Sequence, residues 1–155
     1  ETGDTYTDTQ KWDTDGDGMN DGFLAVIDKY GSTPAGELAR YYAGICQLNL
    51  GQFAEAKKQF SSFSSDDDAL NTMALGLIGD AESELGNADA AISAYKKAAN
   101  ADNAIASPIF LKKLGDAYRA AGKKAEAKAA YQTIKDKYSR SNVARDIEKA
   151  IATVE

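Results

Sequence analysis

The feature that most restricts how this 155-residue chain can fold is a threefold register of small residues at intervals of 35 and 36 positions. Gly44, Gly79 and Gly115 open it, Gly51, Gly86 and Gly122 each follow by seven, and Ala56, Ala91 and Ala127 come five later. Phe60, Tyr95 and Tyr131 close each copy. A repeat of this length is one supersecondary unit that cannot bury its own apolar face, so the copies must stack. Alanine is abundant, proline occurs only at Pro34 and Pro108, and no run is long and β-branched. Helix is therefore favoured nearly throughout, and the expected fold class is all-α.

The copies divide the chain. The first spans residues 37–70, with ELARYYAGICQLNLG as its helix A and FAEAKKQFSSF as its helix B. Gly51 ends helix A as a C′ glycine does, by accepting a left-handed conformation. The second copy spans 72–106 and the third 107–140, where Ser107 is expected to cap a helix with Pro108 at its first position. A terminal helix over 141–154 places Val143, Ile147, Ile151 and Val154 on one face, suited to sealing the last apolar groove. At the other end FLAVIDKYGST repeats the form of YQTIKDKYSRS, so residues 23–36 are half of a further copy. Its first half falls in residues 4–21, where only Tyr6, Trp12 and Met19 are available for burial. Residues 1–22 form an acidic amino-terminal segment.

These copies resemble the tetratricopeptide repeat. The pattern is carried by Leu114-Gly115, Tyr118, Ala127 and Tyr131, by Ile78-Gly79, Ala91 and Tyr95, and by Ala43-Gly44, Ala56 and Phe60. The resemblance implies a right-handed α-solenoid of antiparallel helix hairpins. It also implies a protein-interaction scaffold that holds a protein or peptide segment on the concave surface of its A helices. Carried onto this chain, that surface comprises Tyr41, Ile45 and Leu48, then Met73, Asp80 and Glu84, then Lys112, Asp116 and Arg119. Inter-repeat packing is the competing use of Tyr41 and Tyr42. Asp80 and Asp116 are expected to repel an acidic ligand, which favours an apolar, aromatic or mildly basic segment. The stretch from Ile27 to Ala56 is similar to envelope-facing bacterial repeat proteins, several of which carry an amino-terminal membrane anchor. A periplasmic or cell-envelope location follows from that likeness, with the membrane reached only through an anchor outside this chain; a cytoplasmic location is the alternative. Two other functional readings stand beside the scaffold: self-association through the apolar edge of the incomplete first hairpin, and a calcium-stabilised adaptor.

The calcium reading comes from DTDGDGMNDG, residues 13–22. Asp13, Asp15 and Asp17 have the one-three-five spacing of a calcium loop, Gly18 permits the bend, the Met19 carbonyl takes the next place, and Asp21 binds through water. Leu24 stands where a bidentate Glu belongs, so the ligand set is short. A solvated turn whose carboxylates cap the following helix is the alternative. No cofactor is required by any other motif.

Several classes are excluded. The chain has no histidine, one cysteine at Cys46 within an apolar helical pattern, and no phosphate-cradling glycine loop, so the usual nucleophile and base sets are missing and no enzymatic activity is expected. A net charge of −6 without a basic, aromatic-backed stripe argues against nucleic acid. No apolar run reaches the length of a membrane span.

Overall fold

The computed structural model describes residues 18–154. Among them every regular element is helical: α1 (Gly18–Tyr30), α2 (Pro34–Asn49), α3 (Phe53–Ser62), α4 (Asp68–Glu84), α5 (Ala88–Ala99), α6 (Ala106–Ala120), α7 (Lys124–Lys137), a 3-10 turn (Asn142–Asp146) and α8 (Ile147–Ala152). They form two compact units, one built from α1 to α3 and the other from α4 to α8. In the first, α2 packs against α1 and α3; in the second, α5 packs against α4 and α6, α7 against α6 and α8, and α4 also reaches α6. Short connections make successive helices antiparallel, which is the hairpin stacking of an α-solenoid.

The turns show why the register glycines recur. At Gly86 the backbone takes φ 78°, its N–H donates to the Ser83 carbonyl at 3.0 Å, and the next N–H, of Asn87, donates to the Glu82 carbonyl at 2.8 Å. This pair of bonds closes the last turn of α4 and requires a left-handed residue, where a Cβ would cost about 1–2 kcal/mol. The same two bonds recur after α2 around Gly51 and after α6 around Gly122.

Four boundaries differ from the periodicity. Helix α2 begins at Pro34, ahead of Glu37, because the Thr33 hydroxyl accepts from the Gly36 N–H at 3.1 Å and Pro34 needs no donor in the first turn. Ser107 does not cap α6; it is fully buried, and its hydroxyl accepts from the Asn103 N–H at 2.9 Å. The cap is Asn103, whose side-chain oxygen accepts from the N–H groups of Ile105 and Ala106, each at 2.9 Å. The final helix is broken into a 3-10 turn and α8, yet Ile147, Ile151 and Val154 all join the buried core of the second unit. At the amino end α1 starts at Gly18, inside the stretch expected to form a loop.

The packing glycines meet the closing aromatics. A Cβ built on Gly44 would lie 2.7 Å from the Phe60 ring, one on Gly79 2.5 Å from the Tyr95 ring, and one on Gly115 would overlap the Tyr131 ring. Facing them, Ala56, Ala91 and Ala127 are buried to 0–2% exposure, so each hairpin closes on a ring held between two small residues. Gly76 supplies a contact between copies: the Phe110 ring of the next hairpin occupies the space its Cβ would need.

Candidate partner-binding faces

In the second unit the uncovered side of the A helices, α4 and α6, is organised around two carboxylates. Each follows a packing glycine directly, so it leaves the helix beside the ring that the glycine accommodates. Asp80 accepts from the Tyr95 hydroxyl at 2.8 Å and from Lys113 Nζ at 2.6 Å on both oxygens. One repeat later Asp116 accepts from the Tyr131 hydroxyl at 2.7 Å and from Lys112 Nζ at 2.7 Å, with Arg119 at 4.0 Å. The tyrosine rings are buried while their hydroxyls reach the half-exposed carboxylates. Burial, and then donation to Asp80, raises the Tyr95 pKa strongly; the same causes, with Asp116 as acceptor, push Tyr131 up to about 12.

These contacts reduce the repulsion that Asp80 and Asp116 would exert on an acidic ligand. Each carboxylate is already held by a lysine and a hydroxyl, and with Glu84, which also acts on Tyr95, the face carries three cations against three anions. Lys113, which ties α4 to α6, was not among the residues expected on this face. Its signal in the sequence is weak, because Lys112 and Lys113 are adjacent and only the helix packing decides which reaches across.

The first unit presents a different surface. Phe23 of α1 stacks on Tyr42 of α2, with ring centroids 5.6 Å apart. Around that pair lies an open groove of about 510 Å³ bordered by Met19, Val26, Leu38, Ile45 and Cys46, with no charged residue along it among the described residues. Tyr41 points the other way: it is 7% exposed and makes ring contacts with Phe60 at 6.1 Å and Phe63 at 5.3 Å. It belongs to the core, not to an accessible face, and burial followed by its neighbour Tyr42 raises its pKa.

Of the remaining expected face residues, Leu48 is half-buried, Met73 is packed on the second unit's core, Glu84 is exposed near the end of α4, and Arg119 is exposed at the end of α6. Asp80, Glu84, Lys112, Asp116 and Arg119 lie together in the second unit, Ile45 and Leu48 in the first. In the acidic segment, Asp13, Asp15 and Asp17 fall outside the described residues, while Met19 and Asp21 lie in the first turn of α1. Cys46 is half-buried on α2, in line with use as a small hydrophobe.

Two tetratricopeptide-repeat profiles match the chain, one over residues 38–67 and 113–141 and the other over 74–105, together more than half its length. The chain belongs to the tetratricopeptide-repeat family. The matched segments fall within the three hairpins marked by Gly44, Gly79 and Gly115, so the glycine–aromatic closure described above is this chain's version of the repeat. No curated protein matches its sequence significantly. Among solved structures it is similar to MamA, at 18% identity and a TM-score of 0.67 over 99% of this chain and 94% of that one. A second MamA structure gives 20% identity and 0.67 over 97% and 84%. The type III secretion translocator chaperone SycD of Yersinia enterocolitica gives 19% and 0.62 over 86% and 91%. At such identities the likeness establishes the tetratricopeptide fold.

Proposed function

We propose that this chain is a non-catalytic scaffold that holds a segment of a partner protein on the concave surface formed by its tetratricopeptide A helices. The observation that carries the reading is the arrangement of α4 and α6. Their other sides are packed by α5 and α7, while Asp80, Lys112, Lys113, Asp116 and Arg119 stay half-exposed on adjacent turns. Paired charges of this kind contribute little stability, about 0.5 kcal/mol each, and are better suited to orienting an incoming chain. That a similar fold serves SycD as a translocator chaperone is consistent with a protein partner. Crosslinking or pull-down with the full chain tests it: Lys112→Glu with Arg119→Glu, helicity retained, is expected to weaken capture, and undiminished capture would count against this face.

The location belongs to the same proposal: the likeness of residues 27–56 to envelope-facing repeat proteins supports a place at the bacterial envelope. We also propose that residues 13–21 take a calcium ion that staples the amino-terminal helix. Asp13, Asp15 and Asp17 have the required spacing, and Asp21 lies in the first turn of α1. Millimolar Ca²⁺ is expected to raise the melting temperature and Asp15→Ala to abolish the rise; an unchanged melting curve removes the site.

A further inference from the structure

Charge is distributed unevenly along the chain. Residues 18–95 hold eleven aspartates and glutamates against four lysines and arginines, whereas residues 96–154 hold six against thirteen. Around the end of α7 several carboxylates are engaged locally. Asp102 accepts from Lys137 Nζ at 2.8 Å and from the Tyr138 hydroxyl at 3.1 Å, while Asp146 lies 2.8 Å from Lys149 Nζ and Glu148 2.6 Å from Lys135 Nζ. Arg140, exposed in the turn after α7, has no carboxylate partner among the described residues.

That arginine stands on the wall of a cavity of about 580 Å³ formed between the start of α6, the end of α7 and the turn that follows it. One side of the lining is apolar, with Ile109, Val143 and an Ile105 that is 79% exposed. The other side is polar, with Arg140, Ser141 and Asn142, and no carboxylate lines the cavity among the described residues. The Ser141 hydroxyl is shielded from solvent, makes no capping bond to the 3-10 turn it precedes, and has no other hydrogen-bond partner there. A shielded hydroxyl without a partner is costly, and a bound acceptor would relieve it. The repeat itself does not demand this arrangement. Where the first two copies carry Ala69-Leu70 and Ala104-Ile105, the third carries Arg140-Ser141.

We propose that this cavity takes an extended segment of a partner protein that presents an acidic side chain next to an aliphatic one. The carboxylate pairs with the Arg140 guanidinium, with the Ser141 hydroxyl turned to donate to it, and the aliphatic group covers Ile105 and Val143. Charge complementarity fixes the first element, because a planar guanidinium without a partner matches a carboxylate through two parallel hydrogen bonds. The apolar side fixes the second, since covering Ile105 removes apolar surface from water. A basic segment would meet an uncompensated cation, and a wholly polar one would leave Ile105 exposed. The cavity touches α6 only in its first turn, so the proposal does not rest on Lys112, Asp116 or Arg119.

The test titrates the isotope-labelled full chain with an end-blocked peptide, Gly-Ser-Glu-Leu-Val-Ser-Gly, and follows backbone amide shifts. Saturable shifts are expected at residues 139–143 and at Ile105 and Ile109. The same peptide with glutamine in place of its glutamate is expected to bind about tenfold more weakly. Arg140→Ala, at an exposed position that leaves folding intact, is expected to cost the glutamate peptide about tenfold and to bring the two peptides level. Ser141→Ala, if its circular dichroism is native, is expected to weaken the glutamate peptide in the same direction. Equal affinity of the two peptides for the unaltered chain overturns the proposal, as does the absence of saturable shifts at these residues or their confinement to the Lys112–Arg119 face. A chain carrying Asp13→Asn, Asp15→Asn and Asp17→Asn that binds the peptide about tenfold better would assign the cavity to the chain's own acidic segment, and also overturns it. A concentration-dependent dimer that Arg140→Ala dissolves would assign it to a second copy, with the same consequence. Failure here with partner capture still sensitive to Lys112→Glu and Arg119→Glu sinks this inference and leaves the scaffold reading in place.

Discussion

In the hairpin of α2 and α3 the packing glycine meets a phenylalanine and is followed by Ile45; in the two hairpins of the other unit it meets a tyrosine and is followed by an aspartate. Gly44, Phe60 and Ile45 thus stand opposite Gly79, Tyr95 and Asp80, and opposite Gly115, Tyr131 and Asp116. The ring does the same work in all three, filling the space left by the missing Cβ. The hydroxyl is what changes the surface. Where it is present it emerges beside the next residue of helix A, which is a carboxylate able to accept from it, and the carboxylate in turn recruits a lysine. Where it is absent the neighbouring position is free to be apolar, and the first unit carries an uncharged groove in place of an ion-paired ladder. Aromatic and carboxylate therefore vary as a pair, because a buried ring edge with a hydroxyl needs an acceptor and one without it does not.

The comparison breaks most readily at the rings. Tyr131→Ala and Phe60→Ala are each expected to cost about 4 kcal/mol in urea unfolding, since both rings are nearly fully buried; a small loss at either position would mean that the ring is not what closes its hairpin. Next come the glycines. Gly79→Ala and Gly115→Ala are expected to destabilise by about 2 kcal/mol, overpacking outweighing the better helix propensity of alanine, and a neutral or stabilising result would show that the rings can move aside.

The pairing itself is sharpened by a cycle. Tyr131→Phe is expected to cost about 1.5 kcal/mol by removing a donor to Asp116. Phe60→Tyr alone should destabilise the first hairpin, with a hydroxyl facing Ile45, and Ile45→Asp added to it should recover about 1 kcal/mol of coupling. Additive effects would dissolve the claim that the two positions vary together.

The smallest expected effect is in alkaline solution. The Tyr131 pKa lies above the ordinary 10.0, at about 12, chiefly through burial and then its bond to Asp116. A group whose folded pKa is raised stabilises fully below its unfolded value and loses that contribution as pH rises through the folded one. The loss attributable to Tyr131 should therefore fall between pH 10 and about 12, with tyrosinate absorbance for this residue appearing late. In Tyr131→Phe that part of the alkaline decline should vanish; an unchanged decline would show that the hydroxyl is not held as described.

Much of the architecture was legible beforehand because it depends on spacing. Glycines at fixed intervals set the turns and the close approaches, alanines set the facing wall, and a helical period set the elements between them. What spacing does not encode is which neighbour a side chain meets. Tyr41 and Tyr42 are adjacent in the chain, yet one lies in the core and the other lines a groove, since consecutive helical residues point about 100° apart and only the positions of α1 and α3 decide which direction is inside. Asp80 read as a free charge until Lys113, 33 residues away, came within 2.6 Å. Asn103 replaced Ser107 as the cap of α6 because Ser107 was carried into the interior.

The one-dimensional pattern, then, was sufficient for much that is local among the described residues: helical hairpins, the glycine turns and the ring that closes each copy, because each of these is set by contacts within about one repeat. Ion pairing on the A-helix face and the burial of Tyr41 arise only when helices from different copies are brought together. Charge compensation and exposure depend on distance in space, which the order of residues along the chain does not contain.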